Sequence, residues 1–237
     1  MGKKISILIP AYNEAKTIRR LVERIFTVPF PIDFEVIIVD DFSRDRTFRI
    51  IRLLEKNHLS DHIRIFRNEI NHGKGYCLQR GFREAQGDFL IVQDADLEYD
   101  PHDIPKLLEP VLSGEADVVC GSRFLGAFWP KGMAFPNMMA NRFLTFVTNL
   151  LFGSHFTDME TCYKVMSRKV LEGMELECRR FDSEPEIVAK LIKKKARFKE
   201  LPIQYHGRTA SEGKKIKAID FFIAIKVLLK QRFFSPR

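Results

Sequence analysis

Cysteine is scarce: the chain of 237 residues has four, Cys77, Cys120, Cys162 and Cys178, far apart in sequence. None of the spacings suits a zinc site or a disulfide scaffold, so these are expected to be reduced, small core residues of a cytosolic protein. Glycine-rich phosphate signatures are missing as well. The stretch "NHGKGYCLQRGF" contains glycines and Lys74 but no GxxxxGK[ST], which argues against a Walker-type ATPase. A secretory signal is not evident: "MGKKISILIP" offers two lysines and then an apolar run of strand length ending in proline, too short and wrongly flanked for export. The apolar run within the C-terminal "KKIKAIDFFIAIKVLLKQRFFSPR" falls far short of the roughly 20 residues that cross a bilayer.

What is present suits a globular α/β protein. Apolar residues make up 45% of the chain, enough at this length for a full core in one domain with a short appendage. Lys and Arg number 39 against 31 Asp and Glu, a net charge of +8 that favours nucleotide phosphates, anionic lipid or nucleic acid without choosing among them. "ISILIP", "FEVIIVDD", "IRIFRN", "DFLIVQDAD" and "ADVVCGSR" are short β-branched runs bounded by polar residues, as buried parallel strands should be. Between them, "NEAKTIRRLVERIF" sets Ile18, Leu21, Val22, Ile25 and Phe26 on one helical face, and "DRTFRIIRLLEKN" does the same with Phe48, Ile51 and Leu54. The alternation predicts a Rossmann-like, doubly wound, mainly parallel sheet, whose ligands lie beyond the C-terminal ends of the strands.

Those strand ends are acidic. In "GDFLIVQDADLEYDP" the carboxyl groups of Asp94, Asp96 and Glu98 fall at every second position. If strand geometry persists, Asp94 and Asp96 point the same way, a repulsion that a divalent cation would relieve. Oxygen-only ligands favour Mg²⁺ or Mn²⁺ and leave coordination positions for substrate phosphates. The same acids could instead cap a turn or the helix beginning near Pro101. Asp40 and Asp41 could likewise cap the helix after Ser43, Lys74 could be a solvated helix start, and "KLIKKKARFK" reads as the basic end of a helix.

Taken in order, "PAYNE", "VDDFSRDRT", "NHGKGYCLQRGFREAQGD", "DADLEYDP", "GSRF", "TDMETCYKV" and "HGRTASEGKKI" resemble the dolichol-phosphate mannose synthase-like family 2 glycosyltransferases, from about Ile5 to Ile216. The resemblance implies a type A glycosyltransferase fold, a nucleotide-sugar donor, Mg²⁺ or Mn²⁺, and inversion at the sugar carbon. It assigns Pro10, Ala11, Tyr12, Glu14, Val39 and Asp41 to the nucleoside, with Tyr12 beside the base and Asp41 accepting a base N–H. Asp94, Ala95 and Asp96 match the metal and diphosphate segment, and Glu98 stands where the family supplies a further metal ligand, often glutamine. Lys74 is a phosphate contact on this reading, and Arg123, Arg208 and Lys214 match basic positions that hold phosphates of donor or acceptor. Asp158 would orient the acceptor, with Thr161 standing where the family often has serine. Phe42 departs from the family's small turn residue, which puts the conformation of that loop in question.

The implied reaction moves a hexose from GDP-mannose or a UDP-hexose to a polyisoprenyl phosphate, dolichyl or undecaprenyl, whose ionised phosphate needs no strong base. Were the acceptor a sugar hydroxyl, Asp158 or Glu160 would be the candidate base. A soluble relative acting on a saccharide or protein is the alternative; a non-catalytic nucleotide-sugar or nucleic-acid binder explains the acids and the Arg208/Lys214 pair poorly. Residues 1–210 are expected to form the catalytic domain and 211–237 a basic amphipathic segment. In that segment Phe221, Phe222, Leu228 and Phe234, with Lys215, Lys217, Lys226, Lys230 and Arg232, suit peripheral contact with the cytoplasmic face of a membrane or a helix packed on the sheet. The apolar "FLGAFWPKGMAFPNMMANRFLTFVTNLLFG", with the single tryptophan, falls on the expected acceptor side, where it suits a greasy substrate or, for most of these side chains, an ordinary buried helix from about Asn141 to Phe152.

Overall fold

The computed structural model describes residues 2–56, 60–178, 182–208 and 218–235. The five expected strands form as β1 (Lys4–Ala11), β2 (Asp33–Asp40), β3 (Ile63–Arg67), β4 (Phe89–Val92) and β5 (Val118–Ser122). Two more complete the sheet, β6 (Lys164–Ser167) and β7 (Phe198–Pro202), giving the order β3-β2-β1-β4-β6-β5-β7. β6 runs antiparallel to β4 and β5, and every other pairing is parallel. That reversal matters for the site. β6 begins at the edge where its neighbours end, so the turn leading into it arrives among the strand-end loops.

Alternation along the strands divides the core into two layers. Ile5, Ile7 and Ile9 face α1 (Ile18–Ile25), α2 (Thr47–Lys56) and α4 (Ile104–Leu112), burying Ile18, Leu21, Ile51, Leu107 and Leu108 with them. Leu8, Ile37 and Val92 face the opposite layer, formed by α3 (Lys74–Glu84), α5 (Phe135–Phe152), α7 (Ser183–Lys193) and α8 (Ala218–Phe233). A four-residue turn of helix, α6 (Arg168–Leu171), follows β6. Each fully buried Ile or Leu contributes about 1.5–3 kcal/mol, and their number on both faces holds the sheet edge rigid.

Two helices depart from expectation. α5 starts at Phe135 rather than near Asn141 and buries only Met138, Leu144, Thr145 and Thr148, so it is no ordinary buried helix. Phe135, Met139, Phe143, Phe146 and Leu150 form an exposed stripe along it. α8 packs on α5 and α7, and Leu228, expected among the membrane-facing residues, is fully buried with Ala224 beside it. Ile219, Phe222, Leu229, Phe233 and Phe234 are exposed instead. Among the described residues no helix is long and apolar enough to cross a membrane.

Candidate active site

A cleft of about 1090 Å³ opens along the carboxyl edge of the sheet. Its first wall comes from the ends of β1 and β2. Asn13 adopts a left-handed turn (φ 53°) after β1, its N–H donating to Ser43 Oγ at 3.0 Å while its side-chain oxygen accepts from the Arg44 N–H at 2.9 Å. Glu14 N–H donates to Thr47 Oγ1 at 2.8 Å, so the two strand-end loops are sewn together. Pro10, Ala11, Tyr12, Glu14 and Asp41 all line the cleft. Val39 is the exception: its side chain is fully buried in the layer beneath the sheet and does not line the cleft.

Asp40 and Asp41 divide the roles proposed for both. Asp40 is fully buried, accepts from the Ser43 N–H and pairs with Arg67 at 3.1 Å, as a turn-capping acid does. Asp41 accepts from Asn68 Nδ2 (2.8 Å) and from the backbone N–H groups of His72 (3.0 Å) and Gly73 (2.7 Å). Gly73 holds φ 94°, a conformation open to glycine, and this aims its N–H at the carboxylate. Phe42 between them is left-handed (φ 59°), its ring 5.4 Å from the Arg67 guanidinium, so the loop accommodates the large residue by placing it outward over a cation.

The acidic turn follows β4. Strand geometry ends at Val92, and Leu97 is left-handed (φ 64°), so the alternation expected to aim Asp94 and Asp96 alike does not persist. Each acid instead meets a cation from another segment. Lys74, at the start of α3, reaches into the cleft with Nζ 2.7 Å from Asp94 Oδ1; it is not a solvated helix start. Burial opposes its charge, but Asp94 and Glu184 outweigh that and raise its pKa. Arg208 Nη2 lies 2.9 Å from Asp96 Oδ2, with its other nitrogens 3.5 Å from Glu14 and 3.7 Å from Glu98. Burial, then the charges of Asp94 and Glu98, push Asp96 up to about 7 in spite of Arg208. Ala95 is buried in the turn and lines the cleft.

Glu98 has both oxygens engaged, Oε2 by Tyr205 OH (2.8 Å) and Oε1 by the Arg208 N–H (2.9 Å). It anchors the segment carrying Arg208 while lining the cleft beside Asp96. That segment is seated on the chain before α5 by a backbone contact: Gly207 N–H donates to Lys131 O at 3.0 Å. A Cβ on Gly132 (φ 76°) would lie 2.6 Å from Gly207 O.

Arg123 also lines the cleft, but Asp158 holds it from behind through Nε (2.7 Å), Nη2 (2.7 Å) and its backbone N–H (2.9 Å). Asp158 is fully buried, so it is a support for Arg123 and not an accessible base, as the hydroxyl-acceptor alternative required. Glu160 does line the cleft, and burial followed by the charge of Glu184 pushes it up to about 7. Lys214, with Lys215 and Lys217, lies outside the described residues.

Among the described residues, no three His, Cys, Asp or Glu side chains converge as a metal cage. The donor chemistry of the turn nonetheless suits a hard divalent ion: Asp94 and Asp96 offer only oxygen, and the repulsion that Asp94 and Glu98 add to the effect of burial on Asp96 is one such an ion would relieve. Two further polar residues of the cleft, Ser183 and Glu184, with the buried Lys164 behind them, carry no signal in sequence. Glu184 reads there as a first-turn acid of α7, and only the fold brings it to Lys164, 2.7 Å away on β6. The far end of the cleft, between α5 and α8, is apolar, lined by Met133, Met139, Phe143, Leu144, Phe221 and Phe222.

The model of glycosyl transferase family 2 matches residues 6–174. A dolichol-phosphate mannosyltransferase of Pyrococcus furiosus is 29% identical over 213 residues, covering 89% of this chain and 59% of the relative; the chain thus spans about three-fifths of that protein. A UDP-N-acetylglucosamine–dolichyl-phosphate N-acetylglucosaminyltransferase of Methanococcus voltae is 31% identical over 219 residues, 85% of each chain. Among solved structures, glucosyl-3-phosphoglycerate synthase of Mycobacterium tuberculosis with Mn²⁺ and UDP-glucose superposes with a TM-score of 0.73 at 18% identity, over 99% of this chain and 80% of that one. That likeness bears out the type A glycosyltransferase fold.

Proposed function

The chain belongs to glycosyl transferase family 2, and from that premise we propose that it transfers a hexose, with inversion, from a nucleoside diphosphate sugar to a polyisoprenyl phosphate. One observation carries the reading: a single cleft joins an end lined by Lys74, Asp94, Asp96 and Arg208 to an end lined by the apolar faces of α5 and α8. A diphosphate suits the first, a lipid tail the second. The relatives named for dolichyl-phosphate substrates support the same assignment.

On this reading Pro10, Ala11, Tyr12, Glu14 and Asp41 receive the nucleoside. Asp94 and Asp96 hold Mg²⁺ or Mn²⁺, which neutralises charge on the leaving diphosphate when bound. Lys74, Arg123, Arg208 and Lys214 bring the acceptor phosphate up to the donor against their mutual repulsion. Asp158 fixes the guanidinium plane of Arg123. No residue has to remove a proton, because a phosphomonoester with a second pKa near 6 is already an ionised nucleophile at neutral pH. Residues 1–210, together with Lys214, carry this chemistry, while α8 lines the apolar end and seats the protein peripherally on the cytoplasmic face of a membrane. The exposed stripes of α5 and α8, with Lys226 and Arg232 outward, supply that contact.

The test is incubation with radiolabelled GDP-mannose and UDP-hexoses, Mn²⁺, and either short-chain polyprenyl phosphate or soluble saccharide acceptors. Label partitioning into organic solvent with an inverted anomeric centre, and lost on chelation, is the expected result. Label found only in soluble glycans overturns the acceptor assignment.

A further inference from the structure

Most polar atoms in the cleft have partners, but one wall keeps several that do not. Glu160 Oε1, Ser183 Oγ and Glu184 Oε1 are buried and find no hydrogen-bond partner among the described residues. All three residues line the cleft. An unsatisfied buried polar atom costs about 1–3 kcal/mol, so three on one wall call for a ligand that completes them.

The wall is built, not accidental. Glu184 Oε2 accepts from the buried Lys164 Nζ at 2.7 Å, and that same ammonium also donates to the Thr161 carbonyl. This fixes Glu184 from behind and leaves Oε1 forward. Lys74 Nζ stands 3.9 Å from that oxygen and 2.7 Å from Asp94, so the wall adjoins the acidic turn directly. Ser183 is the neighbouring first residue of α7, and Glu160 lies on the turn that the antiparallel β6 delivers to this edge.

The composition of the wall defines its ligand. Two carboxylates accept hydrogen bonds, and a serine hydroxyl both donates and accepts. Successive sugar hydroxyls, each a donor and an acceptor, match that set. A sugar bearing its own carboxylate does not. Lys164 is spent on Glu184 and Lys74 on Asp94, leaving Glu184 to repel it.

Resting on the reading that the cleft holds a nucleotide sugar, we propose that Glu160, Ser183 and Glu184 are specificity residues that bind the hydroxyls of an uncharged hexose and reject hexuronic acids. A sugar joined to a diphosphate at Asp94 and Asp96 reaches this wall without leaving the cleft.

Calorimetric titration of the full chain with Mn²⁺ separates the possibilities. The probes are bare UDP and GDP, UDP-glucose, GDP-mannose and UDP-glucuronate. The wild type is expected to bind one neutral nucleotide sugar more tightly than its bare nucleoside diphosphate, and to bind UDP-glucuronate more weakly than UDP-glucose. Ser183→Ala and Glu160→Gln should each lose about tenfold for that neutral sugar while leaving the bare nucleotide unchanged. Glu184→Gln should also narrow the discrimination against UDP-glucuronate. Because Glu184 supports buried Lys164, Ser183→Ala, which leaves that pair intact, carries the test if Glu184→Gln misfolds. Equal weakening of bare nucleotide and nucleotide sugar, or equal affinity for UDP-glucuronate and UDP-glucose, overturns the inference. Failure of the wild type to bind any nucleotide overturns it together with the transferase reading, and bare-nucleotide binding tells the two failures apart.

Discussion

The two ends of the cleft are held in place by different physics. At the charged end almost every group is fixed by a partner from a distant part of the chain: Asp41 by the start of α3, Asp94 by Lys74, Asp96 by Arg208, Arg123 by Asp158. At the apolar end α5 and α8 touch each other through Phe143 and Phe221, 5.7 Å between ring centroids, and leave two stripes of large side chains uncovered. Directional bonds make the first end a preorganised site whose geometry survives without ligand. The second end has only non-directional contacts, which adapt to a surface or a chain of variable length.

The largest expected effect lies at the charged end. Asp96→Ala should lower turnover about 10³-fold and abolish Mn²⁺-dependent donor binding in calorimetry. Its thermal midpoint should move by no more than about 2 °C, because repulsion within the acidic turn is relieved and Arg208 keeps Glu14 and Glu98. Full turnover of this variant in chelator would erase the contrast between the two ends. Asp158→Ala strands a buried guanidinium, and urea unfolding should show a loss of about 3–5 kcal/mol. A loss under about 1 kcal/mol would mean that Arg123 is held by something other than the pair.

The apolar end should respond in binding and not in folding. Replacing Phe222, Phe233 and Phe234 together by Asp is expected to lower co-sedimentation with anionic vesicles about tenfold or more, with the unfolding midpoint unchanged, since all three are exposed. Unchanged sedimentation would show that these three residues make no membrane contact. A gentler effect is pH-dependent. Glu160 titrates at about 7 in the folded protein, against 4.5 for an ordinary glutamate. The folded state therefore holds the extra proton, and the stability this gives is full below the lower value and lost as pH rises through the upper one. Unfolding midpoints should fall from pH 5 to pH 8, and Glu160→Gln should flatten the fall; an unaltered slope would show that Glu160 is not the group responsible.

The smallest change is expected at Phe42→Gly. Glycine removes a left-handed strain of about 1–2 kcal/mol but gives up the contact with Arg67, about 0.5–1 kcal/mol, and costs more backbone entropy on folding. Urea unfolding should register a net change within about 0.5 kcal/mol. A larger gain would show that the cation contact contributes little.

What could be read in advance follows the same division. The parallel strands and the faces of α1 and α2 were legible because runs such as "ISILIP" and the spacing of Ile18, Leu21, Val22 and Ile25 leave one structural solution each. β7 was not, since "FKELP" alternates charge at a sheet edge where burial is partial. β6 is four residues long and includes Lys164, whose buried position makes sense only with Glu184 on α7. The apolar stripe of α5 is the exposed one, while Thr145 and Thr148 are buried, so its periodicity points away from the face that meets the core. The strand-end rule brought most of the site residues together, yet it could not show that protein cations sit on Asp94 and Asp96, because Lys74 and Arg208 arrive from segments distant in sequence.

The backbone contact between Gly132 and Gly207 links what the two ends otherwise keep apart. Gly132 belongs to the stretch leading into α5, beside Met133 at the apolar end, and Gly207 is the residue before Arg208 at the charged end. With no side chain on either residue, the two strands of chain lie flush, and movement of one is passed to the other without slack. An occupant that spreads α5 would shift the footing of Arg208, and withdrawal of Arg208 from Asp96 would be felt beside Met133. A single methyl group at either glycine would therefore act as a wedge, detuning the apolar and charged ends at the same stroke.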